Sequence, residues 1–122
     1  MSGVPVNPAC VTEWTALKLK KKDINYIIYK VEKEREIVIE EAGKVAYDDF
    51  KAKFDTSTCR YAVVEAPTNR KLVFIMWTPG SAPVKERMIY ASSRQGLLDK
   101  LGGVSKSIQA TGHSEIAKEA LV

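Results

Sequence analysis

WTPGSAPVKERMIYASSRQGLLDKLGG, Trp77 to Gly103, decides the fold of this chain. It leaves an apolar run, Leu72 to Trp77, that reads as a buried strand. Pro79, Gly80 and Ser81 break that strand, and the longest helical pattern of the sequence follows. Ser81 or Ala82 is the expected helix cap, with Pro83 in the first turn, where a missing N–H costs nothing. Gly102 and Gly103 are the expected stop, because glycine accepts the left-handed backbone that ends many helices. Turning about 100° per residue gathers Tyr90, Ala91, Leu97, Leu98 and Leu101 on the side expected to pack on the body. The opposite stripe is Lys85, Met88, Ser92, Gln95 and Asp99. Met88 is thus a polarizable apolar side chain set in a polar face beside Lys85 and Arg87, which suits either indifferent surface or the anchor of a protein partner.

Working outward, Asn7 and Pro8 open a first helix in which Val11, Trp14 and Leu17 or Leu19 form the expected buried stripe, and Lys20-Lys21-Lys22 closes it. Residues 1 to 6, with Ser2, Gly3 and Pro5, read as a flexible arm. Ile24 to Val31 and Ile37 to Ile39 form a hairpin across the charged turn Glu32 to Glu36, and Gly43 begins a loop. Tyr47 to Phe54 reads as a short helix, Arg60 to Ala66 as a third strand, and Val104 to Ala110 as a brief last one. Ser114 is placed to cap a final helix from Glu115 to Leu121. The order predicts an α/β (α+β) fold: a central mixed sheet flanked on both faces by helices, in one domain over 1–122.

The totals narrow the function. The 122 residues are 45% hydrophobic and 28% charged, a globular composition, and the net charge of +4 is too small to argue for nucleic acid. No apolar stretch is long enough to span a membrane and no signal-peptide pattern is visible, so a soluble intracellular protein is expected. Cys10 and Cys59 are expected to be reduced and buried, and their spacing offers no metal site. The single histidine, His113, sits among polar residues and is expected to be an ordinary exposed turn residue. No G-x-S-x-G elbow occurs, and Gly102 to Ser107 follows a helix and lacks the glycine a phosphate loop needs before its lysine. A binding module without cofactor or metal, rather than an enzyme, is the expectation.

Several motifs carry a resemblance. Ser2-Gly3-Val4, CVTEW at Cys10–Trp14, LKLKKK at Leu17–Lys22, CRYAV at Cys59–Val63, KLVFIMW at Lys71–Trp77, APVKERMIYASSR at Ala82–Arg94 and IQAT at Ile108–Thr111 fall in one order over nearly the whole chain. Together they resemble the actin-depolymerising factor/cofilin family. The resemblance implies a single domain of that fold, in the cytoplasm and on the cytoskeleton, that binds actin monomers with a preference for the ADP form and promotes filament disassembly. It implies a monomer-binding surface of Ser2, Gly3, Val4, Val6, Lys85, Arg87, Met88, Ser92, Ser93 and Arg94, with Ser2 as the inhibitory phosphorylation site.

The departures from the family pattern have consequences too. The projection between the third and fourth strands shrinks to Pro67–Arg70, which leaves Arg70 and Lys71 as its charges. A short C-terminal helix leaves Glu115, Lys118 and Glu119 as filament contacts. Both features resemble short members from single-celled parasites and imply weak stable filament binding and weak severing. Gln95 and Gly96 stand where an acid and an alanine are usual, which suggests a bend near Ser93–Gly96. Two other readings remain: a phosphoinositide- or anionic-lipid-binding adaptor using Lys20–Lys22 and Lys106, and a same-fold protein acting on filament sides or branch points.

Overall fold

In the computed structural model, which describes residues 3–121, the apolar run Leu72–Trp77 is a strand well inside the sheet. The chain reads α1 (Pro8–Lys18), β1 (Tyr26–Glu32), β2 (Glu36–Gly43), α2 (Tyr47–Lys51), β3 (Arg60–Glu65), β4 (Leu72–Trp77), α3 (Val84–Leu101) and β5 (Lys106–Ala110). Two 3-10 turns, His113–Ile116 and Lys118–Leu121, close it. The five strands lie in the order β2-β1-β3-β4-β5; all neighbours are antiparallel except β4 and β5, which run parallel and are joined through α3.

Alternation along the strands sends side chains to two faces, and each face is covered. On one side Ile27, Tyr29, Tyr61, Val63, Phe74 and Met76 meet Cys10, Trp14 and Leu17 of α1 and Tyr90, Leu97 and Leu101 of α3. On the other, Tyr26, Ile28, Val64, Ile75 and Trp77 meet Phe50 of α2, Phe54, and Ile116 and Leu121 of the last turns. The sandwich of helices about a mixed sheet is the expected architecture. Both cysteines are free and buried in the first layer. Burial pushes the Cys10 thiol up to about 11 and the Cys59 thiol up to about 12, with the Glu36 and Glu86 carboxylates adding to the shifts.

Several local expectations change. The arm is engaged over residues 3–6: Ile37 N–H donates to the Pro5 carbonyl and Asn7 N–H to the Ile37 carbonyl, both at 2.9 Å, with Val6 bridged to Ile37. The edge of β2 has unpaired backbone groups to offer, and the arm takes them. Met1 and Ser2 lie outside the described residues. In α1 the Asn7 side chain accepts the Ala9 N–H as expected, but the buried set is Cys10, Trp14, Ala16 and Leu17, and Leu19 is exposed past the helix end. β2 runs through Gly43 rather than stopping at Ile39, and α2 ends at Lys51. The last helix is instead the two 3-10 turns, with Ser114 inside the first. His113 is half-buried: its ring packs tilted against Trp77 with centroids 4.9 Å apart and Nε2 lies 3.0 Å from the Phe54 carbonyl.

α3 starts at Val84 with Pro83 as its N-cap and no side-chain cap, so neither Ser81 nor Ala82 serves. Gly102 (φ +67°) and Gly103 (φ +76°) then take the left-handed backbone that stops it. Between those ends the helix is continuous through Gly96. Gly96 faces solvent, and a methyl group built on it meets no atom within 4 Å. Glycine there weakens the helix without serving packing, so Gly96→Ala is expected to add about 1 kcal/mol of stability and to raise Tm by about 4 °C in thermal unfolding; an unchanged or lowered Tm would contradict this account of the site.

Candidate actin-facing surface

α3 is tied to the body at three levels. Near its start the Glu86 carboxylate accepts the Cys59 N–H at 2.5 Å. In the middle the Tyr61 hydroxyl donates to the Tyr90 carbonyl, while the Tyr90 hydroxyl accepts the Val31 N–H at 2.9 Å. At the end the Trp14 indole N–H reaches the Leu101 carbonyl at 2.9 Å and the Gly102 carbonyl at 3.1 Å, two acceptors that a helix terminus leaves unpaired. These ties fix the rotation of the helix. The buried stripe is Tyr90, Ser93, Leu97 and Leu101, at spacings of three and four. Ala91, expected inside, lies about 100° from Tyr90 and is exposed.

The opposite face is open. Met88 is 66% exposed and Val84, one turn earlier, 61% exposed. With Lys85, Ile89 and Ser92 they line a shallow, largely apolar surface. Val84 and Ile89 were not singled out from the sequence; the i, i+4 spacing of Val84 and Met88 is the signal that finds the first of them. The charges around this patch are sorted by direction. Glu86 turns inward to Cys59, Lys85 reaches outward with its Nζ 3.2 Å from Glu34 at the β1–β2 turn, and half-buried Arg87 rests its Nε on the Ala82 carbonyl at 3.1 Å. Of the Lys85-Glu86-Arg87 triplet, the acid is therefore spent internally and Lys85 faces solvent beside Met88. The ion pair of Lys85 with Glu34 is exposed at both ends and holds the lysine only weakly.

The arm joins the same face. Gly3 lies against α3 so closely that a Cβ on it would stand 3.2 Å from Ser93 Cα and 3.3 Å from the Ser92 carbonyl. Val4 donates its N–H to the Ser93 hydroxyl at 3.2 Å, and Val4 and Val6 pack partly buried on the first core layer. Ser92 is exposed and bonds back to the Ile89 carbonyl. Two of the expected contact residues have partners within the chain. Ser93 is 1% exposed and supports the arm, because its place three residues after Tyr90 turns it inward. Arg94 is half-buried and donates to the Ser107 hydroxyl. The structure thus brings Gly3, Val4, Lys85, Arg87, Met88 and Ser92 to one region, and Ser2 falls outside the described residues.

The other expected contacts sit elsewhere. Strand register sets Arg60 opposite Trp77 at one end of β3–β4 and Glu65 opposite Leu72 at the other. Met88 follows the Trp77 end, whereas Arg70 and Lys71 occupy the tight turn at the Leu72 end. Arg70 is left-handed (φ +62°) and its Nε lies 3.3 Å from Glu65. The Glu115 carboxylate accepts the Thr111 N–H and hydroxyl, which hold it below the usual carboxylate range. Lys118 and Glu119 are exposed. Of the basic run, Lys20 pairs with Glu65 at 2.6 Å and Lys22 with Glu13 at 2.9 Å, while Lys106 Nζ donates to the Ala120 carbonyl. Among the described residues no group of three or more His, Cys, Asp or Glu side chains is arranged to hold a metal ion, and no helix is long and apolar enough to cross a membrane.

Comparison with known proteins gives this arrangement its relatives. Residues 3–122 match the family described as cofilin/tropomyosin-type actin-binding protein. Cofilin of Yarrowia lipolytica is 42% identical over 99% of this chain and 85% of its own. The actin depolymerizing factor of Toxoplasma gondii is 39% identical over 85% of each chain. The crystal structure of Streptomyces griseoflavus cofilin superposes with a TM-score of 0.88 at 41% identity, covering 97% of this chain and 93% of that one. With its helix-flanked mixed sheet and its exposed Lys85–Met88 face, this chain belongs to the cofilin/actin-depolymerising factor family.

Proposed function

We propose that this protein is a non-enzymatic actin-binding protein that takes actin monomers, the ADP form in preference, and promotes filament disassembly and turnover. Family membership supports actin as the partner. The observation that carries the mode of binding is Met88, two-thirds exposed on a helix pinned from behind, with Val84 beside it and Lys85 and Arg87 at its flanks. A helix laid into a groove needs an apolar anchor to desolvate and a charged rim to orient it. Positive charge at the rim steers the chain toward an acidic surface and raises the rate of encounter. The proposed contact set is Gly3, Val4, Val6, Lys85, Arg87, Met88 and Ser92, with Ser93 and Arg94 acting from behind. The whole chain serves as one actin-depolymerising-factor-homology domain, acting as a monomer in the cytoplasm and on the cytoskeleton.

Ser2 is proposed as a regulatory phosphorylation site. It precedes Gly3, which packs on α3, so about two added negative charges would arrive beside the binding face. Filament contact through Arg70, Lys71, Glu115 and Lys118 is proposed to be weak. The β3–β4 connection is a tight turn closed by the Arg70 N–H to Ala66 carbonyl bond, with no projecting arm, and Arg70 and Glu115 are already engaged within the chain. The anionic-lipid reading has less support, because the family match points to actin; Lys20, Lys22 and Lys106 each have a partner within the chain.

Titration of ADP- and ATP-actin monomers tests the reading. Met88→Ala is expected to cost on the order of 2 kcal/mol of binding, and replacing Lys85 and Arg87 by alanine to slow association with a weaker dependence on salt. Ser2→Glu is expected to weaken binding in the same assay. A Met88→Ala protein with unchanged affinity would move the contact off α3. In co-sedimentation, the protein is expected to leave most of itself in the supernatant with filaments; near-saturating recovery in the pellet would contradict weak filament binding.

A further inference from the structure

A serine on the buried stripe of α3 needs a reason. Alanine forms helix better, and a hydroxyl withdrawn from water costs free energy unless it is hydrogen-bonded. Ser93 is 1% exposed, and its oxygen accepts the Val4 N–H of the arm, 89 positions away in sequence. Ser93 thus stands between the arm and the core. We propose that Ser93 is a positioning residue: a latch that holds the first residues of the arm against α3 and so completes the actin-facing surface. This rests on the actin-binding reading above.

The two halves of the arm are held differently. From Pro5 onward two backbone hydrogen bonds to Ile37 and the Val6–Ile37 bridge clamp it to the edge of β2. Before Pro5 the Val4–Ser93 hydrogen bond and the close fit of Gly3 on the Ser92–Ser93 backbone are the polar and close contacts, beside a Val4 side chain partly buried on the first core layer. Pro5 lacks an N–H of its own and biases Val4 toward extended backbone, which favours a break in behaviour at this point. Opening the Ser93 latch therefore loosens the residues before Pro5 and leaves the rest of the arm in place. Gly3 is the second part of the latch, since any side chain there pushes against backbone atoms that cannot swing aside.

Amide hydrogen exchange measured by NMR on the whole protein tests the latch without actin. Ser93→Ala is expected to speed exchange at Val4 by about fivefold, the worth of one ordinary hydrogen bond. Exchange at Asn7 and Ile37 should stay as it is. Gly3→Ala, which leaves α3 itself untouched, should do the same. Each variant is expected to weaken binding of ADP-actin monomers by about threefold to tenfold. The double variant should be little worse than either, because both remove one contact. Unchanged exchange at Val4 in Ser93→Ala would overturn the latch. So would faster exchange with full actin affinity in both variants, and if Met88→Ala still lost binding there, the actin reading would survive alone. A wild-type protein that does not bind actin would overturn both the reading and the positioning role.

Discussion

The hydrogen bonds from Trp14 to the last carbonyls of α3, from Tyr61 to its middle and from Cys59 to Glu86 near its start set the rotation of one helix. Everything presented to a partner follows from that rotation. With Tyr90, Leu97 and Leu101 driven into the first core layer, the geometry of 3.6 residues per turn forces Val84, Met88 and Ser92 outward. The apolar exposure is not a failure of packing. It is the far side of a helix whose near side is fully used. A rigid backing also matters for affinity, since a helix already held in its binding orientation loses little freedom on association.

Much of this was legible in the residues themselves. β4 runs from Leu72 to Trp77 as read, because six consecutive apolar residues bounded by Lys71 and Pro79 have no other stable place than a sheet covered on both faces. The end of α3 was legible through Gly102 and Gly103, and the start of α1 through Asn7 and Pro8, where local chemistry decides the outcome. The outward stripe Lys85, Met88 and Ser92 followed from periodicity. The family, and with it the fold, followed from the motif order, and the family match over residues 3–122 bears it out.

What periodicity missed has a common cause: it depends on contacts between distant parts of the chain. Residues 3–6 look like a free tail because Gly3 and Pro5 disfavour regular structure, yet the unpaired edge of β2 supplies partners that no local pattern reveals. Ser93 looks like a surface residue because serine usually is one, yet it lies on the buried stripe of α3 and its hydroxyl accepts the Val4 N–H from the far end of the chain. His113 reads as an exposed turn residue, but Trp77 from β4 gives its ring a surface to pack against. The final segment has helical spacing but closes in two short 3-10 turns that place Ile116 and Leu121 on the second core layer.

In the proposed complex one sulfur-bearing side chain enters an actin groove while the sheet behind it stays as it is. The ε-methyl signals of Met1, Met76 and Met88, labelled with carbon-13, report this directly during a titration with ADP-actin monomers. Met76 is 2% exposed in the core and serves as the internal control. The Met88 methyl is expected to shift and broaden as actin is added, whereas the Met76 signal keeps its chemical shift. A Met88 signal with the same shift at saturating actin would contradict it.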